Sequence, residues 1–172
     1  GVKVIERELI GDNRGFLSRL FCAEDLASAG WRTSVSQINH TFTAKSGTVR
    51  GMHFQRPPHQ EMKLVTCIKG DVWDVVVDLR SESPTYLSWH AELITAENRR
   101  SLLIPEGFAH GFQALTDDAE LIYCHSTPYV SSSEFGLNPC DPDLGIDWPL
   151  PITEMSERDT IHEMIATGFV GV

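Results

Sequence analysis

Apolar and polar residues alternate in short runs over most of the chain, and glycine, proline, aspartate and serine separate the runs. The clearest run covers residues 71–80, where Asp74, Val76 and Asp78 would share one face of a β-strand. Runs of this kind predict strands at residues 34–39, 48–55, 61–68, 72–79, 86–93, 101–104, 111–114 and 120–126. Many short strands at intervals of roughly 8–12 residues predict a sandwich or a barrel.

Helical patterns are few. Residues 23–29 predict one short helix, because Gly30 follows them and glycine commonly ends a helix. Residues 156–166 predict a second helix. The 172 residues contain no internal repeat, low-complexity tract or linker, so we expect a single domain over residues 1–172. The pattern therefore predicts an all-β barrel with short flanking helices.

Charge and composition narrow the function. The formal net charge of −10 disfavours nucleic acid as a partner, because phosphate backbones are bound by basic surfaces. A small anionic ligand would need a local cluster of arginine and lysine. No run reaches the roughly 18 apolar residues that cross a bilayer, and the start of the chain lacks the apolar core of a signal peptide. We expect a cytoplasmic protein with no membrane partner and with reduced thiols at the widely spaced Cys22, Cys67, Cys124 and Cys140.

Two histidines stand where chemistry is expected. His110 follows a Pro-x-Gly turn at the start of a predicted strand, as in cupin jelly rolls, where such a histidine is often a metal ligand. The alternative is a histidine held by backbone groups at a strand start. His53 follows Arg50-Gly-Met, and strict alternation would point Arg50 and His53 to opposite faces of the strand. A bulge at Gly51 would bring them together.

Metal chemistry and acid–base chemistry compete for these histidines. Metal cupins carry a His-x-His pair, whereas Gln55 stands two residues after His53, and the next histidine is His59. We therefore do not expect a metal site. A histidine base, a cation for a developing oxyanion and a tyrosine acid are the parts for proton abstraction beside a carbonyl. The candidate groups are Lys63, Asp74, Asp78, Tyr123, Tyr129, Glu134 and Asp159.

A series of short motifs runs nearly from end to end in a specific order and spacing. They are Asp12-Asn-Arg14-Gly-Phe, Gln37-Ile-Asn39, Arg50-Gly-Met-His53-Phe-Gln, Pro57-Pro, Lys63-Leu-Val, the segment 70–80, Ser83-Pro-Thr-Tyr, the segment 104–112, the segment 141–149 and Ser156-Glu-Arg-Asp159. Together they identify a resemblance to the dTDP-4-dehydrorhamnose 3,5-epimerase family. The resemblance implies a cupin-like jelly roll and a homodimer. It also implies inversion at C3, C5 or both of a nucleotide-linked 4-keto-6-deoxyhexose without metal or other cofactor.

The resemblance also implies roles for single residues. His53 matches the general base, Asp159 its paired carboxylate, and Tyr123 the acid that returns the proton. Lys63 and His110 match residues that line the sugar pocket, and Lys63 would stabilise the enolate oxygen. The remaining matches are substrate contacts: Arg14, Gln37, Asn39, Arg50, Glu134, Arg158 and the base-stacking Tyr129.

Simpler interpretations exist for several of these residues. Asp159, three residues after Ser156, fits a helix capping box. Tyr123 in an apolar run fits the core, Arg14 fits a turn, and Lys63 fits a solvated strand edge.

The chain also departs from the family pattern. Arg19 replaces a usual Glu, residues 124–128 read Cys-His-Ser-Thr-Pro instead of a Lys-Thr-Thr-Asp-Tyr type segment, and the Gln37–His53 interval is one residue longer. These departures leave open the nucleotide, the hexose and the carbons inverted. The alternatives are a monofunctional 3- or 5-epimerase, a metal cupin and a non-catalytic sugar-binding jelly roll.

Overall fold

The computed structural model describes residues 1–165 and 169–172 and consists mainly of short antiparallel strands. The strands are β1 Lys3–Glu6, β2 Leu9–Asp12, β3 Gly15–Ser18, β4 Gln37–Thr43, β5 Val49–Gln55, β6 Lys63–Lys69, β7 Asp71–Asp78, β8 Trp89–Thr95, β9 Arg100–Ile104, β10 Phe108–Ala114, β11 Ala119–His125 and β12 Glu134–Gly136. The helices are α1 Ala23–Ala27, a 3-10 turn at Ser131–Ser133 and α2 Glu157–Thr160. None of the described helices is long and apolar enough to cross a membrane.

Two five-stranded sheets face each other in jelly-roll order. One sheet runs β1-β9-β6-β11-β4 and the other runs β12-β5-β10-β7-β8. Successive strands from β4 to β12 alternate between the two sheets, except that β7 and β8 are neighbours in one sheet. Strands β2 and β3 form a separate hairpin. The predicted all-β jelly roll is confirmed, although the described strands leave its two sheets unjoined at the edges.

Strand β7 shows why the sequence folds in this way, because both of its faces are buried. Val72 and Val76 pack between the sheets, together with Phe112 of the neighbouring strand β10. Val75 and Val77 lie on the other side, under the chain that follows β12. Asp74 and Val76 thus share the inner face, as the alternation predicted, and each apolar side chain buried there stabilises the fold by roughly 1.5–3 kcal/mol.

The second predicted helix is wrong in length. Helix α2 covers only four residues, and a turn follows it at residues 161–162. The amide of Asn138 donates to the Thr160 carbonyl (2.9 Å), and the Asp141 carboxylate accepts the Ile165 N–H (2.5 Å). These backbone groups bond to a neighbouring loop instead of to a further helical turn. The predicted end of this helix, residue 166, lies outside the described residues.

Candidate active site

A cavity between the two sheets gathers most of the residues that the sequence singled out. Its walls come from β4, β6 and β11 of one sheet and from β5 and β10 of the other. The predicted site residues that line it are Gln37, Asn39, Arg50, His53, Lys63, His110, Tyr123, Tyr129, Glu134 and Arg158.

A bulge in β5 turns Arg50 and His53 toward the same cavity. On the neighbouring β10, His110 pairs with His53 and Phe112 pairs with Arg50, so β5 carries one extra residue in this interval. Gly51 sits there with a φ of +135°, a conformation that favours glycine. A Cβ at this position would lie 2.5 Å from the Gly111 Cα. The predicted bulge is confirmed, and the close approach of β10 requires a glycine at this position.

His53 and Asp159 form a hydrogen-bonded pair at the cavity wall. Nε2 of His53 lies 2.7 Å from Oδ1 of Asp159, and the other carboxylate oxygen accepts the Gly51 N–H at 3.2 Å. Burial raises the pKa of the Asp159 carboxyl, but the bonds from His53 and Gly51 outweigh it and leave the pKa below its ordinary value. Asp159 is therefore a carboxylate at neutral pH, and it favours a proton on Nε2 of His53.

Helix α2 holds Asp159 in place. Ser156 is its N-cap and accepts the Asp159 backbone N–H at 3.1 Å. The capping interpretation is thus correct for the backbone N–H of Asp159, whereas the Asp159 carboxylate bonds to His53. One residue of the helix is buried, and it is Asp159.

Three further side chains form a chain at the mouth of the cavity. The Tyr129 hydroxyl donates to Glu134 (2.7 Å), and Arg158 donates to the same oxygen (3.0 Å). A second Arg158 nitrogen lies 2.9 Å from Nε2 of His53. One imidazole nitrogen cannot donate to Asp159 and accept from Arg158 at the same time. We assign its proton to the shorter bond with the buried carboxylate, which leaves the guanidinium as a neighbouring charge.

Tyr123 lies deeper in the cavity. It packs in the core between the sheets and also lines the cavity, so the core interpretation and the site interpretation both apply. Burial raises the pKa of its phenol well above the ordinary value, and the Asp74 carboxylate adds to the effect. Its ring lies 5.7 Å from that of His110, whose Nε2 lies 2.8 Å from Asp74. The phenol therefore stays protonated, which is the form an acid needs.

Lys63 is a buried cation and not a solvated edge residue. Its Nζ lies 3.1 Å from Glu61, and the same carboxylate lies 2.9 Å from Nδ1 of His125. Neither Glu61 nor His125 is among the residues that the sequence motifs indicate for this site. Alternation could have indicated His125, which stands two residues from Tyr123 on β11 and so shares its face.

Arg14 lies away from this cavity. It is on the turn between β2 and β3, where its side chain is 86% exposed and bonds to Asp12. The structure thus agrees with the turn interpretation within one chain.

His53 also belongs to a cluster of potential metal ligands, and the sequence did not indicate this cluster. Within the described residues, ligand atoms of His53, Asp159 and His162 lie within 4.8 Å of one another. The Arg158 guanidinium lies 2.9 Å from the His53 nitrogen and 3.7 Å from Asp159. A positive group at this distance opposes a metal cation.

Comparison with known proteins adds to this geometry. Residues 1–167 match the family model described as dTDP-4-dehydrorhamnose 3,5-epimerase. The chain is 40% identical over 159 residues to the dTDP-4-dehydrorhamnose 3,5-epimerase of Shigella flexneri (92% of this chain, 87% of the relative). It is also 40% identical over 160 residues to a dTDP-4-dehydrorhamnose 3-epimerase of Streptomyces niveus (92% and 77%). The fold matches a Bacillus anthracis dTDP-4-dehydrorhamnose 3,5-epimerase crystallised with TDP and PPi, with a TM-score of 0.92, 36% identity and coverage of 95% and 93%.

Proposed function

The chain belongs to the dTDP-4-dehydrorhamnose 3,5-epimerase family, and from that premise we propose how its cavity performs the reaction. It is an epimerase of dTDP-linked 4-keto-6-deoxy sugars. We propose that it inverts both C3 and C5. The convergence of the His53–Asp159 pair, Tyr123 and Lys63 on one cavity carries the epimerisation, and the match to 3,5-epimerases supports inversion at both carbons.

The first step is removal of a proton. The 4-keto group acidifies the C–H bonds at C3 and C5, because loss of either proton gives an enolate. With Nε2 of His53 protonated toward Asp159, the lone pair of Nδ1 accepts this proton, and the Asp159 carboxylate stabilises the imidazolium that forms. The Lys63 ammonium faces the enolate oxygen, where its attraction grows as negative charge develops.

The second step returns a proton to the opposite face of the sugar ring. Tyr123 supplies it from its hydroxyl, and this inverts the carbon. The cycle closes when the imidazolium of His53 loses its proton to solvent and the phenolate of Tyr123 regains one. The raised pKa of Tyr123 ensures that the phenol is protonated before each turnover.

The rest of the cavity holds the nucleotide. Arginine matches phosphate oxygens with paired N–H donors, and Arg50 and Arg158 both line the cavity. Tyr129 is 52% exposed at the mouth, where its ring can stack on the base. We assign Gln37, Asn39, His110 and Glu134 to substrate contacts.

Incubation with dTDP-4-keto-6-deoxyglucose in deuterated water tests the proposal. Deuterium at both C3 and C5 of the product is expected. The 3-epimerase relative of Streptomyces niveus makes inversion at C3 alone the second candidate. Label confined to C3 would select that candidate, and label at neither carbon would reject both.

We propose in addition that the enzyme is a homodimer. The β2–β3 hairpin exposes Ile10 (67%), Phe16 (70%) and Leu17 (63%) beside Arg14. Contiguous exposed apolar side chains are typical of protein interfaces. A hairpin laid on the partner subunit would also carry Arg14 toward the partner's substrate. Sedimentation analysis that finds only monomers at micromolar concentration would reject this assembly.

We propose a cytoplasmic location as well. Cys22, Cys67, Cys124 and Cys140 are free thiols in the structure, as expected in a reducing compartment. Cell fractionation tests this placement.

A further inference from the structure

A row of polar side chains on the cavity wall is linked by hydrogen bonds. The donor and acceptor of each bond can be assigned in turn, starting from a backbone N–H at one end. The Tyr129 backbone N–H can only donate, and it donates to Gln37 Oε1 at 2.9 Å. The amide of Gln37 therefore donates to Asn39 Oδ1 at 3.0 Å. The amide of Asn39 in turn donates to Nε2 of His125 at 3.3 Å. Nε2 of His125 is thus an acceptor without a proton.

The other nitrogen of His125 follows from this. With Nε2 as acceptor, Nδ1 carries the proton and donates to Glu61 Oε2 at 2.9 Å. The second oxygen of Glu61 lies 3.1 Å from Nζ of Lys63. The row therefore ends in a carboxylate that receives a bond from a neutral imidazole and from an ammonium.

Glu61 is well fixed at this junction. Its side chain is 9% exposed. Gln55 accepts the Val130 N–H at 2.6 Å, so its own amide donates toward Glu61 at 3.4 Å. Burial raises the pKa of Glu61, but the bond from His125 and the charge of Lys63 outweigh it, and the net pKa is lowered. Glu61 therefore carries its charge at neutral pH.

We propose that Glu61 and His125 are positioning residues for the epimerisation. Glu61 holds the Lys63 ammonium in the cavity wall, and the Nδ1–H of His125 holds Glu61. This inference rests on the proposed function, because it takes Lys63 as the group that faces the enolate oxygen. It also gives a role to His125, which lies in the segment where the chain departs from the family pattern.

Substitutions at His125 separate positioning from bulk. A glutamine amide has a donor and an acceptor about as far apart as the two imidazole nitrogens, so His125→Gln can reproduce the neutral tautomer. His125→Leu fills space without either bond. Glu61→Gln removes the charge opposite Lys63 and keeps the shape of the side chain.

Steady-state kinetics and titration calorimetry with dTDP form the first test. Glu61→Gln and His125→Leu should each lower kcat by about tenfold or more, the scale of a lost bond to a charged group. The Kd for dTDP should stay within about twofold of the parent value, since the lost contact acts on the developing enolate. His125→Gln should recover most of the loss. An unchanged kcat for Glu61→Gln, or His125→Gln as slow as His125→Leu, would overturn the proposal.

A matched control lies outside the cavity. His40 and Glu120 form a His–carboxylate pair of similar length (2.8 Å) across β4 and β11, and the His40 side chain is 57% exposed. His40→Leu should leave kcat unchanged. A loss equal to that of His125→Leu would show a general effect on the sheet and count against the proposal.

Nitrogen-15 NMR of the unmodified protein provides a test that needs no variant to fold. The His125 signals, identified by their loss in His125→Gln, should show a protonated Nδ1 and an unprotonated Nε2 at neutral pH. The opposite tautomer or a doubly protonated ring would contradict the donor and acceptor assignment of this row. Failure of the parent enzyme to exchange deuterium would instead reject the proposed function, and the tautomer measurement would still decide the row.

Discussion

Histidines bond to carboxylates at three places around the cavity: His53 to Asp159, His110 to Asp74 and His125 to Glu61. They differ in exposure, since the His53 side chain is 26% exposed, that of His110 is 5% and that of His125 is 10%. A general base must reach both the substrate and, at the end of the cycle, the solvent. The exposures therefore fit the proposed base role of His53 better than they would fit that role for the other two.

The first prediction concerns metal at the His53, Asp159 and His162 cluster. Activity should survive exhaustive chelation, because the Arg158 charge competes with a cation at these ligand atoms and acid–base chemistry requires none. The measurement is kcat before and after treatment with EDTA. Loss of turnover that a divalent ion restores would overturn the acid–base mechanism.

The second prediction concerns Tyr129 at the mouth. Stacking on a base contributes roughly 1–3 kcal/mol, so Tyr129→Ala should weaken dTDP binding about tenfold or more with a smaller change in kcat. Tyr129→Phe is the matched control, because it keeps the ring and removes only the bond to Glu134. Equal dTDP affinity in the alanine variant and the parent would place the base elsewhere.

Motifs identified the acid–base groups and Lys63, but they did not identify Glu61 and His125, which hold Lys63. His53, Asp159 and Tyr123 lie in recognisable segments. Glu61 and His125 are 64 residues apart, and their contact depends on the register between β6 and β11. A cross-strand pair of this kind has no local signature in one sequence.

At the scale of elements, the bulge in β5 determines which side chains of that strand face the cavity. Gly51 brings Arg50 and His53 to one cavity, and its N–H also bonds to Asp159. Gly51 therefore takes part both in the bulge and in holding the carboxylate that bonds to His53. The sequence supported a bulge only because a glycine interrupts a strand pattern.

The third prediction tests this element. Gly51→Ala should destabilise the protein, because the positive φ alone costs a non-glycine residue about 1–3 kcal/mol and the new Cβ would also clash with the Gly111 backbone. The substitution should also lower kcat. Gly145→Ala is the control, because Gly145 has a φ of +58° but, among the described residues, an added Cβ would meet only the Pro142 carbonyl oxygen within 4 Å, at 3.7 Å. Chemical unfolding and kcat of both variants give the answer. Similar losses of kcat in the two would show that the bulge does not position the base.

Most of the predictable strands have a buried face, although β4 forms with only Thr43 buried. All eight predicted strands form, with shifted ends. The short strands β1, β2, β3 and β12 were missed, since most of their residues are exposed or half-buried and show no such pattern. Helix α1 was predicted and α2 was overextended, because loop side chains take its backbone groups.

At the scale of the whole molecule, an acidic protein brings three of its 14 lysines and arginines to one cavity. The net charge is −10, yet Arg50, Lys63 and Arg158 all line the cavity. An anionic ligand on a protein of this net charge needs such a cluster. The two facing sheets produce it, because strands from both contribute to the same walls.

The fourth prediction concerns acid stability. Burial raises the pKa of Asp78, but bonds from Arg80, Ser83 and Thr85 outweigh it and lower the pKa far below the ordinary value of 3.8. The stability from this group is therefore complete above about pH 3.8, its unfolded pKa, and is lost as pH falls toward the lower folded value. Asp159 and Glu61, with lowered pKa values, act in the same direction.

Urea unfolding between pH 3 and 7 measures this dependence. Asp78→Asn should be less stable than the parent at neutral pH and should lose less stability on acidification. The exposed Asp147 provides the control variant Asp147→Asn, which should follow the parent. Parallel curves for Asp78→Asn and the parent would contradict the assignment.

The separation of base and acid is the central claim, and solvent exchange tests it most directly. Tyr123→Phe keeps the buried ring and removes only the hydroxyl, so His53 should still form the enolate and return a proton to the face it came from. The substrate should then take up deuterium from solvent while little inverted product forms. His53→Asn should do neither, with kcat lowered by at least ~10³. Inversion by Tyr123→Phe at near the parent rate, or exchange by His53→Asn, would contradict the mechanism.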